Sequence, residues 1–435
     1  MVPINQDDLQ KLNVDYHNNE SNIWCIQGSS KSGKTTFIRD FIVKKEYLYL
    51  GGYPSNGKVL FANCITQLNK KYKLKHSSRF YDTFESILSL INEIIFKEKT
   101  AIIFDDFHEF LKVDKNALSD LLKYWNKYLS NKPLLLLFIL NNSQQKDFLI
   151  KNNIKQIHMN EFSFTFLRNK PVLTPTDKFY LYSIFGNSNQ FYTFYNTKLE
   201  LTKNVYNLAF QPASPFYNYG FEYLKKDFSD IGTFCSILYA ISIGNNKIGD
   251  IADFIGLKST YLTRYIQKLL DFMIIEKQLP LTNTKSNSKF GRYFIKDHFL
   301  RFWFCYIYPN RMLLDIKRHT SILNDLDKTI QENVLIPSYK KYITNLIQSD
   351  PIKYLGFEPT KFGPWWDNNN NTIDLVAFDE EQIVFINILW DSKENAVLQY
   401  PHLKEMSTCF SSSLKRNYIM ISKNTYLNNF NKGTS

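Results

Sequence analysis

Short apolar runs punctuate the first 140 residues, and the stretches between them repeat apolar positions at helical spacing. Ile23–Gln27, Val59–Ala62, Thr100–Phe104 and Leu134–Leu140 are almost uninterrupted apolar segments, as strands buried on both faces of a parallel sheet are. The residues after Gly33, then Asp82–Phe96 and Ala117–Tyr128, carry a 3.6-residue period. Strands alternating with helices predict an α/β sandwich around a parallel sheet.

The pattern changes after Glu161. Tyr and Phe become frequent, and Lys178–Phe185 and Thr202–Leu208 keep helical spacing, which predicts a small helical lid. From Phe234 three helical segments follow one another with short turns: 236–244, 249–256 and 259–275. Glu276–Pro280 and Gly291–Lys296 then flank a polar loop as two short strands, and the whole predicts a winged helix. In a DNA-binding version, Lys258, Thr260, Tyr261, Arg264 and Lys268 sit on the recognition helix. Lys285, Lys289 and Arg292 come from the wing, toward phosphate or the minor groove. In other NTPases such a module closes on the nucleotide or serves as a packing joint. Gly363–Phe378 and Gln382–Trp390 predict a β-hairpin with an Asn-rich loop, and Asn424–Ser435 a frayed polar tail.

Chemistry enters where the first strand ends. Ile23–Gln27 runs directly into Gly28-Ser29-Ser30-Lys31-Ser32-Gly33-Lys34-Thr35-Thr36, which opens a helix, and this is the setting a phosphate-binding P-loop needs. The two glycines let the backbone curl so that N–H groups point at phosphate oxygens, and the helix N-terminus adds its dipole. Lys34 is expected to reach the β- and γ-phosphates and Thr35 to coordinate Mg²⁺, so ATP and Mg²⁺ are the expected ligands. No NKxD-type guanine motif follows. The third strand ends in Asp105-Asp106, a Walker B arrangement: Asp105 for the metal, Asp106 to orient the attacking water. Aspartate is one methylene shorter than the glutamate usual at the second place, which predicts slow hydrolysis. Leu134–Leu140 ends in Asn141-Asn142-Ser143, where a polar side chain is placed to sense the γ-phosphate or simply to make a turn.

Composition narrows the picture a little. With 44% hydrophobic and 22% charged residues the 435-residue chain is globular and long enough for several domains. The net charge of +12 favours anionic partners, double-stranded DNA among them. An Asn- and Lys-rich bias of the kind an AT-rich genome produces explains part of that excess. The five cysteines are far apart, without metal-ligand spacing, and read as reduced thiols. No run reaches the ~18–20 apolar residues of a membrane span, and the N-terminus has no apolar leader core, so a cytoplasmic, membrane-free protein is expected.

These motifs, together with the run Asp297-His-Phe-Leu-Arg301-Phe-Trp303, resemble the archaeal-type ATPases of the STAND branch of P-loop proteins, over nearly the whole chain. The resemblance implies an AAA+/STAND-like P-loop ATPase domain (1–165), a helical lid (166–224), a winged helix (225–312) and a C-terminal α/β domain related to PD-(D/E)XK nucleases (313–435). It also implies a nucleotide-driven switch; ATP and Mg²⁺ are expected between the P-loop domain and the helical and winged-helix lids, and an oligomer on ATP binding is left open. The chain departs from the family in lacking the Gly-Arg…Glu motif before Ile23, and a proline at Gly186–Gln190. It also departs in the nuclease set: Asp374 stands at the metal-binding aspartate, but Asn387 and Leu389 replace the Glu and Lys of Glu-x-Lys. Leucine can neither position nor deprotonate water, so cleavage is not expected. The rival readings are a DNA-binding winged-helix protein, or a protein-interaction scaffold, in which ATP is structural, and an active nuclease with a displaced catalytic set that includes Asp374.

Overall fold

The computed structural model describes residues 6–18, 20–28, 33–76, 83–141, 145–159, 173–186, 189–192, 194–196, 198–282, 290–369, 371–390, 398–410 and 412–423. They belong to two compact units: residues 1–163 with 271–273, and residues 164–270 with 274–435.

In the first unit, α1 (Gln6–His17) precedes β1 (Asn22–Gln27), α2 (Lys34–Phe41), β2 (Glu46–Gly51), α3 (Gly57–Tyr72) and α4 (Phe84–Glu93). β3 (Thr100–Asp105), α5 (Phe107–Val113), α6 (Ala117–Tyr124), β4 (Leu134–Leu140), α7 (Lys146–Lys151) and β5 (Lys155–His158) follow. The strands form one parallel sheet in the order β2-β3-β4-β1-β5. Successive side chains of a strand alternate between faces, so each strand feeds two cores. Leu134, Leu136, Phe138 and Leu140 meet α3, α4, α5 and α6 through Leu60, Ile87, Phe107 and Leu121. Leu135, Leu137 and Ile139 meet Leu12 of α1 and Phe37, Ile38 and Phe41 of α2. All seven residues of β4 are fully buried, which is why this strand reads as an unbroken apolar run.

One expected strand is a helix. Val59–Ala62 lies within α3, where Asn56 caps the N-terminus by accepting from the Val59 N–H at 3.0 Å. Its apolar run continues as Leu60, Phe61, Cys64, Ile65 and Leu68, all buried, a helical rather than a strand spacing. The two strands not expected, β2 and β5, are at the sheet edges; in β2 Leu48 and Leu50 are buried and Tyr47 and Tyr49 partly exposed. An edge strand is buried on fewer sides and so lacks the continuous apolar signature.

In the second unit, the helices Gly232–Ser242, Ile248–Ile255 and, but for its last residue, Ser259–Asp271 are followed by β6 (Ile275–Gln278) and β7 (Arg292–Ile295), an antiparallel pair. The Asp297–Trp303 run packs this unit together. Asp297 caps its helix by accepting from the Leu300 N–H at 2.6 Å, and also accepts from the Tyr219 hydroxyl at 3.1 Å. Arg301 donates to the Val334 carbonyl and the Ser338 hydroxyl, and the fully buried Trp303 donates to the Tyr217 carbonyl at 2.8 Å. Gly220 is what admits the indole: a Cβ there would stand 2.2 Å from a Trp303 ring atom.

The expected C-terminal hairpin is part of a four-stranded sheet, β8 (Lys361–Trp366), β9 (Thr372–Phe378), β10 (Gln382–Ile388) and β11 (Lys415–Ile421), ordered β11-β10-β9-β8. The Asn-rich loop joins β8 to β9, while residues 379–381 join β9 to β10, both antiparallel. Asp367 shapes the Asn-rich turn by accepting from the backbone N–H of Asn369 and Asn371 at 2.8 and 3.0 Å.

Candidate nucleotide site

β1 and α2 bring the glycine-rich segment to the C-terminal edge of the parallel sheet, where β3 and β4 also end. Gly28 is buried at the end of β1, its N–H donating to the Leu140 carbonyl at 3.3 Å. Ser29, Ser30, Lys31 and Ser32 lie outside the described residues. Gly33 resumes the chain at φ 91°, a left-handed conformation that favours glycine, and α2 begins with no side-chain cap on its N–H groups. Lys34 is buried, with 6% exposure, and its ammonium donates to the Gly28 carbonyl at 2.9 Å, closing the loop across its own neck. Thr35 is exposed on the first turn of α2 and Thr36 half-buried.

Asp105 ends β3 on the face that carries α2. Its carboxylate accepts from the Tyr49 hydroxyl of β2 and from the Asp106 N–H at 2.8 Å. Burial pushes its pKa above the usual carboxylate range, against the hydrogen bond from Tyr49 and the positive charge of Lys34. Tyr49 is a site residue the sequence did not reveal, because an isolated tyrosine in an edge strand carries no motif. Gly52 is another. Its N–H donates to the Asp105 carbonyl at 2.8 Å, and a Cβ at this position would stand 2.5 Å from the Asp106 carbonyl oxygen.

Asp106 takes φ 47°, ψ 46°, an uncommon conformation for a residue with a side chain. There its carboxylate accepts from the Asn141 amide at 2.8 Å, so the tips of β3 and β4 are joined. The same Asn141 nitrogen faces His108 Nδ1 at 3.3 Å. His108 Nε2 lies 3.0 Å from Glu109 Oε1, which also accepts from Lys112 at 2.8 Å. Burial raises the Glu109 pKa, but the bonds from His108 and Lys112 outweigh it and hold the carboxyl below its usual range. Asn142 and Ser143 lie outside the described residues.

The remaining expected residues are in the second unit. Lys258, Thr260, Tyr261, Arg264 and Lys268 are all exposed along or just before the helix Ser259–Asp271. Arg264 stacks on Tyr261 and Tyr265, 4.2 and 4.9 Å from their ring centres. Arg292 of β7 is turned elsewhere: its guanidinium lies 4.4 Å over the Trp366 ring of β8. The Leu281 N–H donates to the Pro364 carbonyl, so the hairpin is fastened to the C-terminal sheet. Lys285 and Lys289 lie outside the described residues. Asp374 on β9 accepts from the Lys340 ammonium at 2.5 Å and the Ile388 N–H at 2.8 Å. Arg301, with its bonds to Val334 and Ser338, is engaged in packing.

A five-stranded parallel sheet flanked by helices, with a glycine-rich loop leading from β1 to α2 and an acid pair ending β3, defines the α/β fold of a P-loop NTPase. A separate α/β sheet domain follows at the C-terminus. The family described as archaea bacterial proteins of unknown function (DUF234) matches residues 303–399. Over 414 residues, 90% of this chain and 88% of the relative, the chain is 25% identical to an uncharacterized protein of Methanocaldococcus jannaschii. Among solved structures it is similar to a Walker-type ATPase of Pyrococcus abyssi, at 14% identity over 69% of this chain and 95% of that one, with a TM-score of 0.48. It is also similar to the ORC2 protein of Aeropyrum pernix, solved as ADPNP and ADP complexes, at 11% identity over 73% and 96% of the two chains, with a TM-score of 0.41. A STAND protein with a tetratricopeptide repeat sensor from Pyrococcus horikoshii is similar at 15% identity over 80% of this chain and 49% of its own, with a TM-score of 0.31. No helix among the described residues is long and apolar enough to cross a membrane.

Proposed function

We propose that this chain binds ATP with Mg²⁺ and hydrolyses it slowly, as a nucleotide-driven switch in the cytoplasm. The observation that carries the reading is the meeting of Lys34, Asp105 and an Asn141-braced Asp106 at one edge of a parallel sheet, beside an uncapped helix N-terminus. The residues fit the ligand. A helix start without a side-chain acceptor suits phosphate oxygens, and Gly28, Ser29, Ser30, Lys31, Ser32, Gly33 and Thr36 would complete the cradle. Lys34 would exchange the Gly28 carbonyl for a phosphate oxygen, and Thr35 and Asp105 would hold Mg²⁺. The bound metal would neutralise charge on the phosphates. Asp106, fixed by Asn141, would orient the water. Its short side chain is the reason for expecting slow turnover.

The test is ATP turnover by wild type, Lys34→Ala and Asp106→Ala, with and without double-stranded DNA. The reading requires turnover that both substitutions remove. Binding without turnover in every condition would instead point to a nucleotide-stabilised scaffold.

A second reading adds DNA. The exposed face Lys258, Thr260, Tyr261, Arg264 and Lys268 combines cations with aromatic rings, which suits a winged helix against a phosphate backbone and base edges. Arg292, stacked on Trp366, would be a poor phosphate contact. Stimulation of turnover by DNA would support this reading; a protein partner or ATP-dependent oligomer would leave turnover indifferent to DNA. Cleavage is not expected from the C-terminal sheet, since Asp374 is paired with Lys340 and faces neither Glu nor Lys on β10.

A further inference from the structure

We propose that His108 and Glu109 are positioning residues that set the orientation of Asn141 and through it the Asp106 carboxylate; this rests on the ATPase reading above. The argument runs from the buried end outward. Glu109 Oε1 accepts a hydrogen bond from Lys112 at 2.8 Å and lies 3.0 Å from His108 Nε2. A carboxylate only accepts, so the imidazole hydrogen belongs on Nε2. In the neutral imidazole Nδ1 is then an acceptor, and it faces the Asn141 Nδ2 at 3.3 Å. That fixes which way the carboxamide is turned. Its NH₂ group is directed at His108 and, with its second hydrogen, at Asp106 Oδ1, 2.8 Å away.

The opposite tautomer breaks the string at two points. A hydrogen on Nδ1 would oppose the Asn141 donor, and the carboxamide would have to turn its oxygen toward a carboxylate oxygen of Asp106. His108 and Glu109 are 6% exposed, so water has little access to repair such a mismatch. Asp106 has reason to need this support. It is held in a left-handed conformation, and its own side chain is short and half-exposed. Neither His108 nor Glu109 would touch the nucleotide; they act through Asn141.

Two measurements test this. In the nucleotide-free wild type, ¹⁵N-resolved NMR of the His108 imidazole should place the hydrogen on Nε2, and Glu109→Gln, whose amide can donate, should move part or all of it to Nδ1. In ATP turnover, His108→Phe should lower kcat by about 10–100-fold, the usual range for outer residues that orient a functional group, while the Kd for ATP stays within about twofold of wild type. His108→Gln should restore most of kcat, because its carboxamide can donate to Glu109 and accept from Asn141. An Nδ1 hydrogen in the wild type overturns the proposal, and so does a His108→Phe variant that turns over like wild type. Lys34→Ala in the same assay separates the failures. Wild-type turnover no higher than that of Lys34→Ala overturns the ATPase reading and this proposal together. A working wild type with an equally active His108→Phe overturns the positioning role alone.

Discussion

Asp105 and Asp374 both stand on buried strands where nucleotide or nuclease chemistry would place a metal ligand, and the fold has given them opposite company. Asp105 meets the Tyr49 hydroxyl and a backbone N–H, while the nearby Lys34 ammonium donates to the Gly28 carbonyl. Asp374 meets the Lys340 ammonium at 2.5 Å and a backbone N–H. The first carboxylate is held by neutral donors and lifted in pKa by burial, so a cation arriving there would meet a hydroxyl and a backbone N–H rather than a hydrogen-bonded ammonium. A cation arriving at the second would have to displace an ammonium already in contact. The same residue type on the same kind of strand is thus receptive in one unit and satisfied in the other.

The largest contrast is between the two lysines. Lys34→Ala should weaken ATP binding about 100-fold or more, the loss expected for a buried charge-assisted contact to phosphate, whereas Lys340→Ala should leave it unchanged in calorimetric titration. Equal effects of the two would erase the distinction. Next in size is the loss of Mg²⁺ dependence. Asp105→Asn should remove the dependence of tight ATP binding on Mg²⁺, and Asp374→Asn should not touch it.

The Asp105→Asn protein should also melt higher than wild type at neutral pH in the absence of nucleotide. The folded protein keeps the Asp105 proton to a higher pH than the unfolded chain does, so stability falls as pH rises from about 4, the unfolded carboxylate value, through the raised folded value. The advantage of Asn over Asp should therefore shrink as the buffer is taken down toward about pH 4; an advantage independent of pH would contradict the burial argument. A smaller effect is expected from Lys340→Ala, which should cost roughly 1 kcal/mol or less in urea unfolding, since the Lys340 side chain is 41% exposed and the pair is screened by solvent. It should bring no metal-dependent DNA cutting, because Asn387 and Leu389 remain. Smallest of all, Arg264→Ala should leave ATP binding alone and, if the second unit binds DNA, flatten the salt dependence of that binding by about one unit of slope.

Much of the first unit could be read directly. The run Ile23–Gln27, the glycines, Lys34 and the onset of α2 are contiguous, and the physics that couples them is local: a strand end, two glycines and a helix start. β3 and β4 were legible because strands covered on both faces leave no room for polar residues. β2 was not, since an edge strand mixes exposed and buried positions, and Val59–Ala62 took its place in the reading although it belongs to the buried stripe of α3. The Asp297–Trp303 run was visible as a pattern, but its packing role depends on Tyr217, Tyr219 and Gly220, about eighty residues earlier.

By itself the sequence determined the chemical inventory: a loop able to cradle phosphate, a lysine and threonine behind it, an acid pair at a strand end, and a C-terminal acid without its Glu-x-Lys. Local backbone geometry and residue chemistry are enough for that much. Only the tertiary structure decided which groups are in contact. It joined Tyr49 to Asp105 from the neighbouring strand, brought Asn141 to Asp106 and to His108 from 35 and 33 residues away, laid Arg292 on Trp366, and set Lys340 against Asp374. Those pairings follow from strand order and from which helix covers which face, and hydrogen bonds and ion pairs depend on ångström separations that no periodicity along the chain encodes.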